Sequence, residues 1–154
     1  MRLLSTLTIA ALVATASAAA LAKPAAEPNG PTQAQIVAAR KASFTMSAGI
    51  IAAMKHTIDA DEDVNKWAFG ARGLSAWAAT LPAMFPAGSN ITGSEALPTV
   101  WSDNAGFRAI AAKYSEDAAK LSDLARANDK PGFAAQWAIV RADCESCHKT
   151  YRTE

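Results

Sequence analysis

The stretch KPGFAAQWAIVRADCESCHKTYR, residues 130–152, decides how the rest of the chain is interpreted. Its apolar side chains recur at alternating steps of four and three residues, at Phe133, Trp137, Val140, Cys144, Cys147 and Tyr151. This spacing places them on one face of an α-helix. Cys144 and Cys147 are the only two cysteines in the chain, and His148 follows them on the same side. The sequence therefore predicts a helix that carries two thiols and an imidazole towards the protein interior.

Three more amphipathic helices precede this one. Thr32 and Gln35 form a capping-box pattern that opens a helix running to about residue 57. The second is predicted from about 64 to 81 and the third from about 102 to 125, separated by a loop rich in proline and glycine, residues 81–98. Because no alternating apolar run predicts a strand, we expect an all-α protein, an antiparallel four-helix bundle that occupies residues 32–154.

The N-terminal segment has the composition of an export signal. Residues 1–22 contain one basic residue, then an apolar run, then an A-x-A site at Ala20, Leu21 and Ala22. This pattern predicts a cleaved signal peptide and a periplasmic protein, followed by a flexible leader at residues 23–31. The alternative is an uncleaved membrane anchor, because the run is nearly long enough to cross a bilayer.

The charge balance excludes two classes of partner. Removing residues 1–22 takes away only Arg2, so the 15 basic residues become 14 against 14 acidic ones. A neutral chain without a basic run has no electrostatic footprint for nucleic acid or for an anionic membrane. We therefore expect neither partner once the signal is removed.

The spacing C-x-x-C-H is the attachment signature of a c-type haem, in which two thioether bonds hold the porphyrin and the adjacent histidine ligates iron. A thioredoxin-type pair is expected at a helix N-terminus after a strand, whereas these thiols lie near a C-terminus. A structural zinc site needs four ligands, and His56 is the only other histidine. Two unreactive buried cysteines are the remaining alternative.

Several stretches resemble one family. CESCHKTYR at the end of the last helix, PTVWSDNAGF opening the third, LPAMFPAGS closing the second and Arg40 in the first are similar to the class II cytochromes c, the cytochrome c-prime group and its low-spin relatives. The resemblance covers residues 32–152. It implies an antiparallel bundle, haem c bound covalently to Cys144 and Cys147, and His148 as the proximal iron ligand.

The resemblance also assigns roles to three neighbouring residues. Arg152 lies one turn beyond His148 and is implied to act near the proximal ligand, although a solvated arginine is the alternative. Arg40 is implied to pair with a haem propionate, the alternative being a side chain that extends to water. The distal position, four residues after Arg40, holds Phe44, which has no donor atom. An open, five-coordinate iron under an apolar distal wall is therefore expected.

Two methionines leave a second possibility for the iron. Met46 lies about 200° around the helix from Phe44, so a regular helix turns it away from the haem. A distortion near Gly49 could recruit Met46 or Met54 as the sixth ligand, which would make the iron low-spin.

These observations predict an electron-transfer protein with an unknown redox partner, and not an enzyme. The alternative functions are binding of small gases, nitric oxide or carbon monoxide, and an exported bundle without haem. The uncharged run ASFTMSAGIIAAM, residues 42–54, leaves a second apolar stripe on the first helix. Because a helix that is apolar all round is buried on more than one side, a homodimer through the first two helices is expected.

Overall fold

The computed structural model describes residues 30–153, so the predicted signal peptide and nearly all of the predicted leader lie outside the described residues. Five helices follow in order: α1 (Gln33–Asp59), α2 (Ala68–Thr80), α3 (Thr99–Ser102), α4 (Asn104–Arg126) and α5 (Lys130–Tyr151). Residues 30–153 contain no β-strand, only an isolated antiparallel bridge between Ala96 and Arg152. The predicted all-α bundle is confirmed: α1, α2, α4 and α5 form it, and α3 is a single turn.

The first helix begins where the capping box predicts. The Thr32 hydroxyl accepts a hydrogen bond from the Gln35 N–H at 3.2 Å, and the Gln35 side chain accepts one from the Thr32 N–H at 2.8 Å. These bonds satisfy two N–H groups that a helix start leaves unpaired. The helix continues for 27 residues to Asp59, close to its predicted end.

The second helix is shorter than predicted. A 3₁₀ turn, Asn65–Trp67, occupies its predicted start, and a second, Leu81–Met84, follows its last residue. The Trp67 indole N–H donates to the Thr57 hydroxyl at 2.9 Å, which ties the first of these turns to α1. Short 3₁₀ turns are common at helix ends, and apolar spacing alone does not separate them from α-helix.

The third predicted helix is interrupted at Asp103. Its carboxylate accepts hydrogen bonds from the Gly106 N–H at 3.2 Å and from the Tyr151 hydroxyl at 2.8 Å. A Cβ atom at Gly106 would lie 2.6 Å from the Tyr151 hydroxyl oxygen, so any other residue there would displace the Asp103 or Tyr151 side chain. The start of α4 is thereby joined to the end of α5.

The packed core lies where α2, α4 and α5 meet. Its fully buried members combine large side chains with alanines that let the helices approach closely: Leu74, Ala78, Ala118, Leu121, Ala125, Phe133 and Val140. The buried face of α5 differs from the apolar face that the sequence predicts, because it includes two polar residues and excludes several of the predicted apolar ones. Gln136 and Asp143 are buried beside Val140, whereas Trp137, Cys144 and Cys147 are only partly buried.

Helix α1 packs least closely of the four. Met54 is fully buried, and Ile51 and Val37 are nearly so, but Met46 is 68% exposed. By length and composition alone α1 is also apolar enough to cross a membrane, with a mean hydropathy of 1.2. In the bundle Ile51 and Met54 face the core, Phe44 faces the cavity described next, and Met46 is exposed.

Candidate haem-binding site

A cavity of about 690 Å³ lies between α1 and α5, with α4 as its floor, and is called here the α1–α5 cavity. Its walls include Arg40, Phe44, Ser47, Ala48 and Ile51 from α1, Phe107, Ile110, Ala111 and Tyr114 from α4, and Cys144, Cys147, His148 and Tyr151 from α5, with Arg152 just beyond. Apolar groups make up most of this lining. All six predicted site residues therefore surround one cavity.

The two thiols lie on the same wall, one helical turn apart. Both are free and partly buried. Burial raises the pKa of Cys144, and burial together with Cys144 raises that of Cys147 to about 11. The thiols are therefore protonated at neutral pH, unlike the thiolates of a redox-active or metal-binding pair. No three His, Cys, Asp or Glu side chains within residues 30–153 are grouped to hold a metal ion, so the zinc alternative has no ligand set there.

His148 is exposed at the edge of the same cavity. Burial of part of the ring lowers its pKa, and the positive charge of Arg152 lowers it further. The neutral imidazole is the form that ligates a metal. The charge of Arg152 thus favours the neutral form of His148.

Arg152 is held in place by a carboxylate that the sequence did not single out. Glu95 Oε2 accepts from Arg152 Nε at 2.9 Å and lies 2.7 Å from Arg152 Nη2, while Glu95 Oε1 lies 2.9 Å from Lys41 Nζ. The Thr153 N–H also donates to the Glu95 carbonyl oxygen at 2.9 Å. One glutamate therefore links the C-terminal segment to α1 at this end of the cavity.

Arg40 is 3% exposed and is surrounded by the loop that follows α2. Its guanidinium donates to Ser89 Oγ at 2.9 Å, to the Ser89 carbonyl at 3.0 Å, to the Met84 carbonyl at 3.1 Å and to Ser94 Oγ at 2.6 Å. Its carbon Cζ lies 4.2 Å from the centre of the Phe85 ring. All these partners are neutral, so a buried positive charge remains at the cavity wall, available to an anionic group.

The distal position is occupied by Phe44, which lines the cavity and is 36% exposed. Its ring packs edge-on against Trp77, with centroids 5.4 Å apart. Met46 points to solvent and Met54 is buried in the core, and neither is among the cavity residues. The α-helix is continuous through Gly49, so the distortion that would bring a methionine inwards is not present.

The wall facing the cavity is less apolar than the sequence predicts. Tyr114 of α4 presents a hydroxyl-bearing ring there, and Ser47 of α1 also lines the cavity, although its hydroxyl donates to the Ser43 carbonyl at 2.8 Å. Asp143 was missed altogether, although its position three residues after Val140 and seven after Gln136 is a helical-face spacing. His56, the other histidine of the chain, is exposed at the cavity margin.

An all-α bundle with C-x-x-C-H at the end of its last helix, opening into a cavity between helices, defines a class of helical haem proteins. Residues 35–152 match the family described as Cytochrome C'. Cytochrome c-556 from Agrobacterium tumefaciens (strain B2A) is 41% identical over 95 residues, 60% of this chain and 72% of that protein. Cytochrome c' from Alcaligenes xylosoxydans xylosoxydans is 35% identical over 65 residues, 42% of this chain and 51% of that protein.

The fold agrees with these sequence matches. A mutant of cytochrome c prime from Alcaligenes xylosoxidans, solved in the ferrous form, superimposes with a TM-score of 0.73 at 27% identity, covering 81% of this chain and 99% of that chain. The chain therefore belongs to the cytochrome c' family. Covalently attached haem c is the cofactor of this family and of this protein. The cavity fits it, because both thiols, the imidazole and an unpaired buried cation line one largely apolar space.

Proposed function

We propose that this protein is an exported electron carrier whose haem c occupies the α1–α5 cavity. Thioether bonds join the haem to Cys144 and Cys147, and His148 is the proximal ligand of the iron. When bound, haem supplies one-electron redox chemistry. The single observation that carries the proposal is that both thiols and His148 line one cavity of about 690 Å³.

The chain's own residues position the cofactor and expose one edge of it. Arg40 binds a propionate with its buried guanidinium, in addition to its neutral loop partners. Arg152, fixed by Glu95, places a positive charge beside the proximal imidazole. Because His148 is exposed and the cavity opens to solvent beside it, the edge nearest this residue is accessible to a redox partner. In this role the protein passes electrons between partners without converting a substrate, so it is a carrier and not an enzyme.

A second function is favoured by the distal wall. Phe44 provides no ligand atom, and Met46 and Met54 are turned away from the cavity. An open sixth position on the iron would bind a small gas, either carbon monoxide or nitric oxide. The protein would then bind gases at the same site, either in place of electron transfer or in addition to it.

Absorption spectra of the reduced holoprotein with and without carbon monoxide separate these functions. A spectrum unchanged by carbon monoxide, with fast electron self-exchange, supports a pure carrier and would show that a residue fills the sixth position. Rapid carbon monoxide binding supports the open site. In that case Phe44→Ala should bind carbon monoxide faster and Phe44→Met should convert the iron to low spin, while the exposed Met46→Ala is the matched control and should change neither.

Export and dimer formation complete the proposal. Residues 1–22 direct the chain to the periplasm, where haem is attached, and two protomers then pack through α1 and α2. The exposed side chains of Met46 on α1 and Phe69 on α2, 68% and 77% exposed, support that surface. N-terminal sequencing of protein from the periplasm tests the first statement. Sedimentation equilibrium at micromolar concentration tests the second, and a monomer alone would contradict it.

A further inference from the structure

A buried carboxylate in the wall of the α1–α5 cavity has no role in the function proposed above. Asp143 of α5 is 5% exposed. Its Oδ1 accepts a hydrogen bond from Lys113 Nζ at 2.6 Å, but its Oδ2 is inaccessible to solvent and has no hydrogen-bond partner among the described residues. A buried carboxylate oxygen without a partner is destabilising when it carries charge, and less so when it carries a proton.

Lys113 is shared between two carboxylates. Its Nζ also donates to Asp117 Oδ2 at 2.6 Å, and Asp117 Oδ1 accepts from Gln136 Nε2 at 2.9 Å. Both oxygens of Asp117 are therefore bound, whereas Asp143 has one bound and one free. A single ammonium cannot neutralise two carboxylates, so one negative charge remains in the cluster. Protonation of Asp143, and not of Asp117, would remove the unfavourable burial of a charged oxygen that has no hydrogen-bond partner.

The other titratable groups around this cavity do not supply a second cation to Asp143. They are Tyr114 on α4, Arg141, Cys144, Cys147, His148 and Tyr151 on α5, Arg152 beyond it, Arg40, Lys41, Lys55 and His56 on α1, and Glu95 in the loop, while α2 contributes no lining residue. Arg141 and Lys55 each pair with a carboxylate on their own helix. Arg152 and Lys41 both pair with Glu95.

The pKa values of the two carboxyl groups are shifted in opposite directions, as expected from their different numbers of hydrogen bonds. Burial raises the pKa of Asp143, Asp117 acts in the same direction, and Lys113 opposes both. Burial would also raise the pKa of Asp117, but hydrogen bonds from Lys113 and Gln136 hold it below its ordinary value. The two carboxyl groups titrate as a pair, and the first proton that the pair takes up goes to Asp143.

We propose that Asp143 takes up one proton when the haem in the α1–α5 cavity takes up one electron, so that reduction of this protein is coupled to proton uptake. This inference rests on the redox role proposed above. Reduction removes one positive charge from the cavity, which increases the affinity of a nearby carboxylate for a proton. The electron comes from the redox partner, and the proton comes from solvent at the edge of Asp117, whose side chain is 21% exposed.

The step is balanced in both directions. On reduction an O–H bond forms at Asp143 Oδ2, water outside the protein gives up the proton, and the iron is the group reduced. On oxidation the same bond breaks, the proton returns to solvent and the electron leaves to an acceptor protein. Lys113 stays charged throughout, because Asp117 and Asp143 hold its pKa above its ordinary value.

Equilibrium redox titration of the holoprotein over a range of pH tests the coupling. The effect should appear in the pH range between the pKa of Asp143 in the oxidised protein and its pKa in the reduced protein. As pH rises through this range, the equilibrium constant for reduction should fall by up to tenfold per pH unit, which is about 59 mV for a one-electron couple. Asp143→Asn should remove this dependence. Asp117→Asn should keep it but move it to lower pH, because it removes a neighbouring negative charge. Asp123→Asn, an exposed carboxylate elsewhere on α4, is the matched control.

A second measurement decides the proposal if Asp143→Asn does not fold. Infrared difference spectra of the wild-type protein, reduced minus oxidised, should contain the carbonyl stretch of a newly protonated carboxylic acid, shifted in heavy water. A pH indicator in unbuffered solution should record proton uptake on reduction. Absence of the infrared band, or a slope that survives in Asp143→Asn, overturns the proposal. Because the titration is made at equilibrium with mediators, slow electron exchange would contradict the carrier function without affecting this result.

Discussion

The contact between α2 and α4 and the cavity between α1 and α5 are both built from amphipathic helices, yet they are packed in opposite ways. Leu74 and Leu121, in the first region, are 1% and 0% exposed, and the alanines between them bring the helices close together. In the second region Phe44 is 36% exposed and Cys144 is only partly buried. Side chains fill one space, whereas the other is left for a cofactor.

The difference shows what each apolar face is for. Where helices pack on each other, one continuous stripe of apolar residues is enough to specify the contact. Where a helix packs on a prosthetic group, the stripe also carries residues proposed to bond to that group, such as Cys147, and charges proposed to orient it, such as Arg40. Stability of the second region should therefore depend on the cofactor, and stability of the first should not.

The largest expected effect comes from removing the attachment. In the double variant Cys144→Ser with Cys147→Ser, we expect no covalently bound haem, as intact mass will show. Hydrogen exchange should then increase along the first half of α1 while α2 and α4 remain protected, because α4 also packs on α2 and α5 whereas the first half of α1 faces mainly the cavity. The single variant Cys144→Ser, which keeps one thioether, is the control. Equal loss of protection in all four long helices would show that the two regions are not independent.

A cavity made in the other region should have a smaller and cofactor-independent effect. Phe133 is fully buried in the core formed by α2, α4 and α5. Phe133→Ala should lower the free energy of unfolding by about 3–5 kcal/mol, measured by denaturant titration of the holoprotein, with haem attachment unchanged. Ile139→Ala, at a position on α5 that is 41% exposed and outside the proposed dimer surface, should cost about 0.5 kcal/mol or less. Loss of haem from Phe133→Ala would contradict the idea that this core and the α1–α5 cavity are independent.

The smallest effect concerns the end of the cavity that Glu95 closes. Hydrogen bonds from Lys41 and then Arg152 hold the pKa of Glu95 below its ordinary value of 4.5. A carboxyl with a lowered folded pKa stabilises the protein above its unfolded pKa, and this contribution is lost as pH falls through the folded value. Since the side chain is 43% exposed, we expect about 0–1 kcal/mol. Glu95→Gln should be less stable than wild type at pH 7 and equal to it in acid, and a deficit that persists in acid would show that the charge is not the cause.

Much of the fold was predictable because its signals are local. The capping box of Thr32 and Gln35 predicted the start of α1, and the apolar spacing within residues 130–152 predicted α5. The structure adds a cap at Asp129, whose carboxylate accepts from the Gly132 N–H at 3.0 Å. The break at Asp103 and the 3₁₀ turns were missed. Apolar spacing continues through both features, and only the side-chain hydrogen bonds of the folded protein reveal them.

The candidate site divides in the same way. Cys144, Cys147 and His148 are consecutive members of one motif, and their shared cavity wall follows from helical spacing. The partners of Arg40, by contrast, are Ser89 and Ser94, which lie 49 and 54 residues further along the chain. Asp143 is a charged residue inside an apolar face, and its role depends on Lys113 of another helix. Contacts between residues so far apart in the sequence depend on tertiary packing, so the pattern of residues within a single helix does not predict them.

The position of the α1–α5 cavity between the first and last helices also constrains the order of folding. The first half of α1 is made early, but the wall it faces belongs to residues 144–152, at the far end of the chain. Closing a loop of that length is entropically costly and slow compared with pairing of neighbouring helices. The α2, α4 and α5 core can form first, and α1 then closes over a site that is already lined with its thiols. We therefore expect haem to be attached before that closure, within a time set by how slowly this long-range contact forms.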